Sequence, residues 1–215
     1  MAKHTFAMSD VTGDTRILAR SAKGYDWNYL ADDETLLFGS TDETAFSVKN
    51  IIPGTGISTG TGTLFKGSVL RMGDVVETTI VIDLTGLTSG GANLDIIGFN
   101  AAANCHLGQI TAAKNGTVFA GSMQCVETPA GGEPDIDLYS ATVATGTEDT
   151  LISAISGTEL VGAAEDWSAT GTSTVTHKGL AVVPAADSYL YLAGGGGITN
   201  SAYTAGKFVI KLYGY

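Results

Sequence analysis

The stretch from Tyr189 to Tyr215 constrains this chain more than any other. It reads Tyr189-Leu190-Tyr191-Leu192, then four glycines (Gly194 to Gly197), a short polar stretch, and Lys207-Phe208-Val209-Ile210-Lys211-Leu212-Tyr213. Two aromatic and β-branched runs separated by glycine form the pattern of paired strands, not of helices. The second run reaches almost to Tyr215, so the end of the chain is expected inside a sheet.

The rest of the sequence agrees. Only 15% of the 215 residues are charged, glycine occurs 29 times and threonine about as often. Threonine suits a pleated, half-exposed surface, and glycine supplies turns and bulges. A chain of this length suits one large all-β domain, or one domain with an arm. It buries roughly 70% of its unfolded surface, so a core needs neither metal nor disulfide.

The net charge of −11 argues against nucleic acid as a partner, because phosphate is neutralised by clustered Lys and Arg. Its simplest consequence is solubility. No apolar run approaches the ~20 residues of a membrane-spanning helix. The start, Met1-Ala2-Lys3-His4-Thr5, lacks the apolar core of a signal peptide, which predicts use without export.

Residues 1–50 read as an extended arm with one or two short strands. They mix Arg16, Arg20 and Lys23 with the acidic groups Asp32-Asp33-Glu34 and Asp42-Glu43, and their apolar residues are scattered. A short helix over Asp32–Leu37 is the competing local reading. From Ile51 to Tyr215 the chain is strand and turn. Strands are predicted over Leu64–Met72, Val75–Leu84, Leu94–Phe99, Ile136–Val143, Thr172–Val183, Tyr189–Ala193 and Lys207–Tyr213. Cys105–Ala112 and Thr117–Val126 flank Lys114-Asn115-Gly116, which suits a three-residue hairpin loop. The one helix expected lies within Glu148–Ile155, one or two turns long. About eight to ten strands at short spacing imply a sandwich or barrel.

Chemistry-bearing groups are sparse. Gly56-Ile57-Ser58-Thr59-Gly60 has the letters of a nucleophile elbow, but that device needs a strand before the serine and a helix after it. The glycines before it are no phosphate cradle, since no Gly-Lys-Ser/Thr ending follows. Cys105-His106 with Cys125 offers too few ligands for structural zinc, and if the hairpin is right the two thiols lie opposite each other across it. Buried free thiols are favoured over a disulfide. Asp135 and Asp137 share one side of a strand, and Glu148-Asp149 and Glu165-Asp166 add further acid. Such carboxylates can serve glycoside hydrolysis or bind calcium, yet their default reading is as solvated turn residues. Trp27, Trp167, Tyr189, Tyr191, Tyr203, Tyr213 and Tyr215 either line a sugar-binding surface or fill a sandwich and its seams. Asn115-Gly116-Thr117 is a formal glycosylation sequon better explained as a turn. No catalytic residue, cofactor or metal ligand is predicted.

Several stretches together resemble a family of tailed-phage structural proteins found among marine and freshwater viruses. They are Arg71-Met72-Gly73-Asp74-Val75-Val76-Glu77-Thr78-Thr79, Ile82-Asp83-Leu84-Thr85-Gly86-Leu87, Leu94-Asp95-Ile96-Ile97-Gly98, Gly108-Gln109-Ile110-Thr111-Ala112 and Tyr203-Thr204-Ala205-Gly206-Lys207-Phe208-Val209-Ile210. The resemblance spans roughly residues 60–215. It implies a jelly-roll-like antiparallel β-sandwich that decorates or cements a phage head, a non-enzymatic virion protein bound to the major capsid protein and assembled as a homotrimer. The arm, outside the resemblance, is the expected capsid or subunit contact through Trp27, Tyr29, Leu30, Leu36, Leu37 and Phe38. A carbohydrate- or receptor-binding module of a head fibre or tail is the alternative.

Overall fold

The computed structural model describes residues 36–37, 46–162, 165–171, 175–196 and 200–215. Eleven strands are seen among them: β1 (Leu36–Leu37), β2 (Phe46–Asn50), β3 (Leu64–Met72), β4 (Val75–Asp83), β5 (Gly108–Ile110), β6 (Val118–Ala130), β7 (Ile136–Ala141), β8 (Thr158–Val161), β9 (His177–Gly179), β10 (Ser188–Gly194) and β11 (Ala205–Gly214). Two single helical turns, α1 (Thr55–Ser58) and α2 (Ala112–Asn115), and a 3₁₀ turn at Ile152–Ile155 sit between them. One sheet runs β1-β2-β3-β4-β11-β6-β9 and the other β5-β10-β7-β8, with every pairing antiparallel. The expected all-β sandwich is the observed architecture.

The large sheet follows the alternation that its sequence shows. Val76, Ile80 and Ile82 of β4 and Phe208, Ile210 and Leu212 of β11 are buried on the inner face. Glu77, Thr79, Lys207, Lys211 and Tyr213 occupy the outer face, because successive side chains of a strand point to opposite sides. Gly73, at φ 60°, opens the two-residue loop from β3 to β4, the place where a glycine-first hairpin loop needs positive φ.

The small sheet differs. Every residue of β7 is buried and only Tyr189 of β10 is partly open. One face lies against the large sheet. The other is covered by the connection between β7 and β8, whose Gly146 packs against the Tyr191 ring and whose Val143 O accepts from the Tyr191 hydroxyl. The connection between β4 and β5 extends the edge of β10, where Ile97 N donates to Leu192 O and Leu107 N to Leu190 O. A sheet covered on both faces reads as continuous apolar sequence rather than alternation.

Several expectations need correction. The two closing runs do not pair with each other. β10 lies in the small sheet between β5 and β7, and β11 lies in the large sheet between β4 and β6. The glycines therefore begin a crossing from one sheet to the other, not a hairpin. The predicted hairpin around Lys114-Asn115-Gly116 fails in the same way, since β5 pairs with β10 whereas β6 pairs with β11 and β9. Leu94–Phe99 makes only isolated bridges, and the helix within Glu148–Ile155 shrinks to its last four residues. Of Thr172–Val183, only His177–Gly179 is a strand, and residues 172–174 lie outside the described residues.

What replaces the hairpin is a tight corner organised by Asn115. This side chain is 1% exposed. Its Oδ1 accepts from Thr111 N at 2.9 Å and its Nδ2 donates to Thr78 Oγ1 of β4 at 2.7 Å. Thr111 Oγ1 in turn caps α2 by accepting from Lys114 N. Gly116 follows at φ 67°, where a side chain would meet the backbone of Tyr215. The sequon asparagine is thus a buried bracket between the sheets. Replacing Asn115 with Ala leaves a buried N–H and a hydroxyl without partners, so a loss of about 2–4 kcal/mol is expected in urea unfolding. A change below about 0.5 kcal/mol, the range of neutral surface substitutions, would contradict this role.

Candidate functional site

Four of the predicted contact residues, Trp27, Tyr29, Leu30 and Phe38, lie outside the described residues. Leu36 and Leu37 form β1, whose backbone pairs with Val48 and Ser47. β2 is in turn hydrogen-bonded to β3 along its length, so residues 46–50 belong to the large sheet.

Ser58 is exposed and ends α1. The helical turn precedes the serine and β3 follows it, the reverse of an elbow. Cys105 and Cys125 are free, buried and in different parts of the sandwich, not opposed across a hairpin. Burial pushes both thiols up to about 11, which makes them inert small hydrophobes. Trp167, Tyr191 and Tyr203 fill the interior. The Trp167 ring meets Phe208 edge-on at 5.4 Å, with Nε1 donating to Ile136 O, and the Tyr203 hydroxyl donates to Glu133 O.

The outer face of the large sheet divides into two ends. At one end Lys207 Nζ lies 3.2 Å from Asp83 Oδ2 and 2.6 Å from Glu127 Oε2, and further along Lys211 Nζ lies 2.8 Å from Glu77 Oε1. Lys211 holds the Glu77 carboxyl below its usual range. Burial pushes Asp83 upward, but hydrogen bonds from Thr85 and Lys207 outweigh it and leave the carboxyl lowered. Such half-open pairs add little stability.

The other end is apolar. Met72 of β3 and Val75 of β4 face each other in register, at 50% and 47% exposure. Tyr215 continues the outer face of β11 and exchanges both backbone hydrogen bonds with Thr117. Phe119, at the start of β6, sets its ring 6.1 Å from that of Tyr215. These two are the most open of the four, at 55% and 66%. Four neighbouring strands therefore present one apolar row about 15 Å long, three strand spacings.

Two concavities flank Ile51 and Ile52. One, of about 480 Å³, is walled by Ser58, Phe65 and Lys66. The other, of about 200 Å³, is lined by His106, Gln109, Lys114 and Tyr189. The rings of His106 and Tyr189 stand 4.8 Å apart, and burial lowers the histidine's affinity for a proton.

Asp149, Glu165 and Asp166 are exposed, as their default reading has it, whereas Asp135, Asp137 and Glu148, with neighbouring Glu133, are each about 5% exposed and not solvated. Several acids serve as loop anchors. Glu148 Oε2 accepts from Ala101 N, Asp95 Oδ2 from Ala92 N, and Asp149 Oδ1 from Gly91 N. Burial pushes Asp95 and Glu148 upward. Asp135 differs, because its Oδ1 is buried with no hydrogen-bond partner. It stands between Glu133 and Asp137 where the chain enters β7, near Asp166 and Lys178, and burial together with the neighbouring carboxylates pushes it up to about 6. Sequence periodicity places Asp135 and Asp137 on one side of a strand. It carries no signal that this side is covered.

Compared with known proteins, the chain matches no family model, no curated protein and no solved structure.

The Asp135 environment has a consequence for stability. Its unfolded carboxyl titrates near ~3.9, and its folded one near about 6. Between these values the native state holds more protons than the unfolded state, so stability is full below about pH 4 and falls as pH rises to about 6. The loss is on the order of 2–3 kcal/mol. Asp95 and Glu148 act in the same direction. Urea unfolding in metal-free buffer at pH 4.5 and pH 7 should therefore show a smaller pH-dependent loss in Asp135→Asn than in the unsubstituted protein. Equal slopes would contradict the assignment.

Proposed function

We propose that the chain is a non-enzymatic virion structural protein that decorates and stabilises a phage capsid shell, acting as a homotrimer on the major capsid protein. The observation that carries this reading is the apolar row of Met72, Val75, Phe119 and Tyr215 on the outer face of the large sheet. Contiguous apolar surface of this kind on a soluble protein marks a contact site. The family resemblance over residues 60–215 supports the same role. A cement protein works by linkage: it binds the assembled shell better than free subunits, so each bound copy favours the shell. That task needs area, of which a specific contact takes about 1,000 Å² or more. The row supplies an apolar centre, and residues 1–35, with Trp27, Tyr29 and Leu30, supply further contact.

The direct experiment mixes purified protein with undecorated heads and counts bound copies by electron microscopy. Regular occupancy of the shell lattice is expected, and its absence would sink the proposal. A Phe119→Asp/Tyr215→Asp double variant should keep its circular dichroism spectrum and lose either shell binding or, by light scattering, the trimer. Deletion of residues 1–35, which spares β2, tests the arm separately.

A carbohydrate- or receptor-binding module is the second reading, and the small concavity with Tyr189 at its wall favours it. Saccharide binding measured by NMR, lost in Tyr189→Ala and kept without residues 1–35, would select that reading over cementing.

A further inference from the structure

We propose that the smaller concavity beside Ile51 and Ile52 binds one uronic-acid ring of an acidic polysaccharide, with Lys114 as the partner of its carboxylate. This site rests on the reading of the chain as a carbohydrate-binding module, whose ligand class it names, and not on the capsid role. Three observations meet here, and the first is charge. The chain carries 22 Asp and Glu against 11 Lys and Arg. Even so, no carboxylate lines this concavity, whereas Lys114 does. A second ammonium stands one residue away, where Lys49 Nζ donates to Ala113 O at 3.3 Å. Lys207 and Lys211 lie against carboxylates, but neither Lys49 nor Lys114 forms such a pair among the described residues. In a chain of net charge −11, a cationic spot of this kind favours an anion.

The second observation is the rigidity of the polar groups. Lys114 sits on α2, which Thr111 Oγ1 caps at one end and the buried Asn115 ties to Thr78 at the other. Its backbone is therefore fixed from two sides. Gln109 Nε2 donates to Asp187 O at 3.1 Å, which holds that amide in place at the wall. Polar groups ordered in advance lose less entropy when a ligand arrives.

The third is the chemistry of the walls. Ile51 and Ile52 give the concavity an apolar side, and Tyr189 gives it an aromatic one, with its ring 4.8 Å from that of His106. The hydroxyls of Tyr139, Tyr191 and Tyr203 donate to protein oxygens, whereas that of Tyr189 has no such bond among the described residues. A sugar ring offers an apolar face to a tyrosine ring and hydroxyls at its edge to the polar groups. The volume of about 200 Å³ is that of roughly seven waters, which suits a single ring. An inorganic anion would leave the apolar walls unused, and a neutral sugar would leave Lys114 unused. A carboxylate carried on a sugar ring uses both, through a charge-assisted hydrogen bond to the ammonium.

The test is an NMR titration of the full chain at pH 7 with methyl glucuronide and methyl glucoside, whose methyl group stands where the next sugar of a polysaccharide would be. The glucuronide should bind about fivefold more tightly than the glucoside, the scale of a half-open ion pair, and should shift the side-chain amide signal of Gln109. High salt should narrow that gap, because an open charge contact is screened. Lys114→Gln, at an exposed position, should bring the glucuronide down to the affinity of the glucoside and leave the glucoside unchanged. Tyr189→Ala should weaken both sugars. Lys66→Gln, at the larger concavity, should change neither. Equal binding of the two sugars by the unsubstituted protein overturns the acidic ligand while leaving the carbohydrate-binding reading in place. A preference for the glucuronide that survives in Lys114→Gln, or is lost in Lys66→Gln, overturns the site. Binding of neither sugar overturns the site and the carbohydrate-binding reading together.

Discussion

The insertion of β11 between β4 and β6 is the interaction on which the rest of the sandwich depends. Residues Lys207 to Gly214 pair with Asp83 to Val76 on one side, and with Glu127 to Val118 on the other. Without this strand the large sheet falls into two pieces, and the apolar faces of β4 and β6 lose the column Phe208, Ile210 and Leu212 that covers them. The pairing is also long-range, since β11 lies more than a hundred residues from β4. Loop closure of that length precedes any gain from the contact, so a fold closed by its last strand assembles late. The outer face inherits its character from the same strand. Lys207 and Lys211 meet carboxylates on the neighbouring strands at one end, and Tyr215 extends the apolar row at the other.

Much of the large sheet was legible because one of its faces meets water. Alternation in β3, β4 and β11, with Gly73-Asp74 between the first two, places these strands nearly to the residue. In the small sheet, β7 and β10 are buried on both sides and lack strict alternation, yet the expected strands Ile136–Val143 and Tyr189–Ala193 match them closely; β8 is the strand without an expected counterpart. Local signals also said nothing about partner choice. Lys114-Asn115-Gly116 has the composition of a hairpin loop, yet Asn115 spends its amide holding Thr111 and Thr78 together across a corner where the chain changes sheet. The glycines after β10 were misread for the same reason, because a change of sheet and a reversal within one sheet use the same residue types.

The functional surfaces follow the same division. The row of Met72, Val75, Phe119 and Tyr215 gathers residues from four strands that no local pattern connects, and only the sheet order brings them side by side. Asp135 and Asp137 were visible as a pair on one side of a strand. What turned them from solvated turn acids into buried ones was the approach of the Gly195–Gly196 backbone and the cover over β7. The arm residues Trp27, Tyr29, Leu30 and Phe38 stay an expectation of the sequence, outside the described residues.

Composition and periodicity alone determined that this chain is all-β, a sandwich or a barrel, and that its last residues lie inside a sheet. Backbone pleating and the alternation of apolar with polar side chains are local properties, and they survive in the sequence. The tertiary structure alone decided which strands are neighbours, so that Tyr189–Gly194 and Lys207–Tyr213 part into different sheets. It also decided which carboxylates lose their water. Both are set by pairings between residues far apart in the chain, where the free energy comes from burying whole faces together and not from any single segment's preference.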